Sequence, residues 1–64
     1  MAKGLRRAIF SELRPGTVVI VQDGIEMIPG TIAQVGVGHN KMFCTVNVAV
    51  GLKEYYFESI WKTT

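Results

Sequence analysis

The chain has 64 residues, a formal net charge of +2, 48% hydrophobic residues and 19% charged ones. It is too apolar for a disordered tail and too short for two domains. A chain of this size buries only about 60% of the surface its unfolded form exposes, so one thin-cored domain or part of an oligomer is expected.

No apolar run approaches the roughly 18 residues of a membrane-spanning helix, so no membrane partner is expected. The opening residues Met1-Ala2-Lys3-Gly4 lead into Leu5-Arg6-Arg7 with no long apolar stretch behind them, so no secretory leader is expected. The single cysteine, Cys44, excludes an intrachain disulfide and a cysteine-based zinc site, and points to a reducing, cytoplasmic setting. Charge is uneven. Residues 1–14 carry Lys3, Arg6, Arg7 and Arg14 against Glu12, and residues 15–64 carry three lysines against four acids. The sequence therefore divides into a basic N-terminal arm, 1–14, and a nearly neutral body, 15–64.

In the arm, Leu5, Ile9 and Leu13 recur every four residues, which suggests two turns of amphipathic helix over residues 4–13. A short strand through Ala8-Ile9-Phe10 fits the same stretch. Pro15-Gly16 ends either version. Thr17-Val18-Val19-Ile20-Val21 is a β-branched run and reads as a strand. Asp23-Gly24 marks a turn, and Gly24-Ile25-Glu26-Met27-Ile28-Pro29 reads as a surface loop. Pro29-Gly30 punctuates again before a strand over residues 31–37. Gly38-His39-Asn40-Lys41 is a turn in which Gly38 and Asn40 tolerate positive φ. Met42 to Val50 is the longest strand candidate. Met42, Cys44, Val46, Val48 and Val50 share an apolar face, and Phe43, Thr45, Asn47 and Ala49 share a wetter one. Gly51-Leu52-Lys53 reads as a connector to a strand at Glu54-Tyr55-Tyr56-Phe57. Ser59-Ile60-Trp61 reads as a tight turn before a short last strand over 61–63. Several short strands without a βαβ rhythm predict an all-β domain, a small barrel of about five strands behind a short basic arm or helix.

Pro15-Gly16-Thr17-Val18-Val19-Ile20-Val21, Asp23-Gly24 and Pro29-Gly30-Thr31-Ile32 together resemble the first hairpin of small SH3-like barrels of the Tudor and KOW kind. The resemblance spans about residues 13–63. It implies an SH3-like barrel at 15–64 and macromolecular binding in general. The aromatic cage of methyl-reading Tudor domains has no counterpart at Met27 and Ile28, and the body lacks the dense Lys/Arg face common in KOW modules.

Catalysis needs converging groups, and His39 with Cys44 is the only conceivable base and nucleophile pair. Cys44 falls on an apolar strand face, where a thiol is unreactive, and His39 falls in a turn. No catalytic residue, metal site or cofactor site is assigned, and the chain is expected not to be an enzyme. Gly36-Val37-Gly38-His39-Asn40-Lys41 lacks the ending of a phosphate-binding loop. The expected function is that of a small adaptor or inhibitor docking on a larger protein or ribonucleoprotein. Its predicted partner surface comprises Ile25, Met27 and Ile28 with Arg6 and Arg7, and Tyr56 as an exposed ring. The alternative is a nucleic-acid-binding barrel using Lys3, Arg6, Arg7, Arg14, His39 and Lys41. A third reading is a self-associating homo-oligomer within a larger assembly.

Overall fold

The computed structural model describes residues 4–63. Its strands are β1 (Leu5–Arg7), β2 (Val18–Asp23), β3 (Glu26–Gly38), β4 (Lys41–Val48), β5 (Gly51–Tyr56) and β6 (Ile60–Thr63), with 3₁₀ turns at Phe10–Glu12 and Phe57–Ser59. They form one six-stranded antiparallel sheet in the order β1-β6-β2-β3-β4-β5. The fold is all-β, as the strand pattern predicts. The strand beyond the expected five comes from the N-terminal segment.

That segment is neither a helix over 4–13 nor a strand at 8–10. Leu5–Arg7 pairs with β6, and the 3₁₀ turn follows. Of the three residues in the four-residue repeat only Leu13 is buried, together with Ala8, while Leu5 and Ile9 face solvent. Pairing with the open edge of β6 satisfies more backbone groups than two isolated turns of helix would.

The turn into β2 follows its sequence closely. Thr17 donates its N–H to the Arg14 carbonyl at 3.1 Å across Pro15-Gly16, and Gly16 sits at φ +93°. Proline first and a positive-φ glycine second is the type II signature.

Pro29-Gly30, in contrast, does not interrupt the chain, and β3 runs unbroken through it. Ile32 donates to the Thr17 carbonyl at 2.9 Å, which sets the phase of the ladder and turns the Pro29 nitrogen away from β2. The β3–β4 ladder begins only at Thr31, so at Pro29 no strand needs an N–H on that side. The loop expected at 24–29 accordingly shrinks to a Gly24-Ile25 turn between β2 and β3.

At the other hairpins β4 stops at Val48, so Val50 leaves the apolar face and is exposed in the turn. The expected connector 51–53 is the first half of β5. The turn expected at Ser59-Ile60-Trp61 lies earlier, at Phe57–Ser59, which leaves Ile60 free to begin β6.

The buried side chains are Ala8, Leu13, Val19, Val21, Ile32, Cys44, Val46, Val48, Tyr55 and Ile60. All five long strands contribute to this one cluster. Among the described residues no α-helix or second sheet lies over it, so the sheet buries its inner face by curling on itself, with Ala8, Leu13 and Phe57 from outside the strands packing in. A register shift between Ile32 and Gln34 allows the bend. It also changes the phase of β3: Ile28 and Ile32 face inward before it, and Val35 faces inward after it. The curl is directly visible at one end. Asp23 of β2 accepts hydrogen bonds from Lys53 Nζ (2.9 Å) and Tyr55 Oη (3.1 Å) of β5, although two strands, β3 and β4, lie between them in the pairing order. β1 and β5 end the strand order, and among the described residues no ladder joins them.

Candidate functional site

Two surfaces carry the residues singled out by the sequence. The first is the outer face of β1, β6, β2 and β3. Paired residues of an antiparallel ladder share a face. Arg7 pairs with Trp61, Trp61 with Ile20, and Ile20 with Pro29, and Met27 lies on the same side of β3 as Pro29. This makes a continuous row leading to the hairpin tip, where Ile25 is fully exposed. Val18 and Leu5 extend the apolar surface below it, both substantially exposed. Ile28, the third residue of the expected patch, turns inward and packs against the core.

The arginines of the arm are divided between the two faces. Arg7 is on the outer face, with its guanidinium carbon 4.4 Å from the centroid of the Trp61 ring, and it also donates to the Glu58 carbonyl. Arg6 is on the opposite side of β1 and holds Glu12 through two hydrogen bonds, one of 2.9 Å. Glu12 also accepts the Ile9 backbone N–H at 3.0 Å. These contacts, the Arg6 bond foremost, hold the Glu12 carboxyl at about 2. By the ladder register Arg6 sits level with Val19, so Ile25 is roughly 20 Å farther along the strand direction. Arg6 and Ile25 are therefore not brought together, whereas Met27 and Arg7 share one face.

The second surface lies at the opposite end of β3. The turn His39-Asn40 joins β3 to β4, and both residues have positive φ, 51° and 62°. This is the I′ geometry that matches strand twist. Phe43 of β4 pairs with Tyr56 of β5, with both side chains on the outer face. Gly38, His39, Phe43, Glu54, Tyr55 and Tyr56 surround an open pocket of ≈ 180 Å³. Lys41 places its Nζ 5.1 Å from the Tyr56 ring centroid and 3.8 Å from Glu58. His39, Lys41 and Tyr56 thus converge, with Phe43 and Glu54 as members that the sequence analysis did not assign. The alternation places Phe43 and Tyr56 on the wetter faces of their strands, but strand register, which sequence alone leaves open, is what makes them neighbours.

Of the residues proposed for phosphate contact, Lys3 lies outside the described residues. Arg6, Arg7 and Lys41 are engaged within the chain, whereas exposed Arg14 has no ion-pair partner among the described residues. Cys44 is buried, and burial pushes its thiol up, away from the reactive thiolate. No helix among the described residues is long and apolar enough to cross a membrane. No family model matches the chain, and neither does any curated protein or solved structure.

Proposed function

We propose that the chain is a non-catalytic, SH3-like small-barrel module that works in the cytoplasm by docking on a larger protein or ribonucleoprotein. The observation that carries this reading is the outer apolar row Met27, Pro29, Ile20 and Trp61, ending in exposed Ile25 and flanked by Arg7. An isoleucine at a hairpin tip adds nothing to a core. Placed next to a methionine and a half-buried tryptophan, it offers an adaptable apolar centre, and Arg7 supplies a charged rim. On this face the one arginine, Arg7, is engaged by the Trp61 ring and the Glu58 carbonyl, and Arg6 and Lys41 elsewhere are also engaged within the chain, which leaves few cations for phosphates and favours a protein over nucleic acid.

The test compares partners captured by the wild type and by the Ile25→Asp/Met27→Asp variant, alongside titration with RNA and DNA at two salt concentrations. Both substituted side chains are exposed, so the variant should melt like the wild type while losing its protein partners. Identical capture by the two proteins, or affinity for nucleic acid that falls steeply with salt, would overturn the reading. Light scattering on the same samples separates docking from self-association.

A further inference from the structure

We propose that the pocket between Phe43 and Tyr56 receives the side chain of an arginine presented by a partner protein. The proposal rests on the reading of the chain as a protein-binding module, yet it concerns the other end of β3 from Ile25 and Met27.

The pocket has the size of a single side chain. Its ≈ 180 Å³ falls below the several hundred Å³ typical of whole small-molecule sites. Its floor follows from glycine. The Phe43 ring lies over Gly36, where an added Cβ would come within 2.9 Å of Cζ, and reaches to 3.4 Å from the corresponding position at Gly38. With no side chains on β3 there, the ring lies close to the strand and the space beside it stays open.

Its chemistry selects a cation. The negative faces of aromatic rings attract cations, and Lys41 already occupies this position over Tyr56 while reaching Glu58. Among the described residues Glu12, Asp23 and Glu58 each have a basic partner, whereas Glu26 and Glu54 have none, and of these two Glu54 stands at the pocket wall. An uncompensated carboxylate beside two rings suits a guanidinium better than an ammonium. The planar group can lie along a ring while two of its N–H groups bond one carboxylate. A nucleotide would bring its phosphate toward Glu54 and Glu58, with Lys41 already paired.

Lys41 does not line the pocket but shares the Tyr56 ring with it, so it competes with an arriving guanidinium for that ring, and this fixes the sign of the decisive experiment. The full chain is titrated with N-acetyl-arginine amide, N-acetyl-lysine amide and AMP, and the ring resonances of Phe43, Tyr56 and His39 are followed by NMR. The arginine probe is expected to shift them saturably and more tightly than the lysine probe. Lys41→Ala should tighten arginine binding by about two- to fivefold, the worth of an exposed cation–π contact. Glu54→Gln should weaken it by a similar factor, about that of an exposed ion pair. Absence of saturable shifts, weaker arginine binding in Lys41→Ala, or preferential binding of AMP would each overturn the proposal. Arginine binding unchanged in Ile25→Asp/Met27→Asp would show that the pocket works independently of the apolar row. Loss of capture without loss of arginine binding would then implicate that row alone.

Discussion

At Gly30 two strands approach so closely that an added Cβ would lie 2.5 Å from one Val46 methyl and 2.9 Å from one of Val48. Gly30→Ala should therefore destabilise the domain by about 1–3 kcal/mol through overpacking, measurable by urea denaturation. Val46→Asp should prevent folding, since that side chain is fully buried and a carboxylate there would have no partner. The inward alternation of Cys44, Val46 and Val48 was legible because it is a simple period of two. The roles of Val18 and Ile20 were not. In a run of five β-branched residues the outward members look like the inward ones, and only the ladders show that Ile20 lies beside Trp61.

Strand ends and turns were the less legible elements. Arg14-Pro15-Gly16-Thr17 and His39-Asn40 form turns where their residues predict them. Pro29-Gly30 does not, because the cost of a proline in a strand depends on whether a neighbour needs its N–H, which local sequence does not state. The N-terminal segment misled for a related reason: its four-residue spacing suits a helix, but an unpaired edge of β6 offered hydrogen bonds that a short helix could not match. The Arg6–Glu12 pair ties this segment down. Since the folded state holds Glu12 at about 2 against a usual 4.5, its contribution is complete above about 4.5 and fades as pH falls toward 2. The difference in melting temperature between wild type and Glu12→Gln should accordingly be largest near neutral pH and close as pH falls through that window. In the β3–β4 turn, Asn40→Gly should raise stability by a few tenths of a kcal/mol to about 1 kcal/mol, because φ +62° is strained for a residue with a Cβ.

For the molecule as a whole, stability depends on how firmly the curled sheet holds its β5 edge against β2. Tyr55 and Lys53 reach across to Asp23, and these bonds keep the Asp23 carboxyl below its ordinary range, Lys53 contributing most. Tyr55→Phe should cost about 1 kcal/mol in chemical denaturation while leaving the strand content seen by circular dichroism unchanged. The all-β class was readable from the residues, but this clamp was not, since it joins positions about thirty residues apart through the bend at Ile32–Gln34.

The contact between Arg7 and Trp61 has an experimental consequence of its own. Trp61 is the sole tryptophan of the chain, and a guanidinium on β1 rests against its ring. Its emission is therefore a native optical gauge of whether β1 is seated on β6. Any partner that lifts the N-terminal strand, or slides between it and the hairpin, would announce itself in the fluorescence of the unlabelled protein.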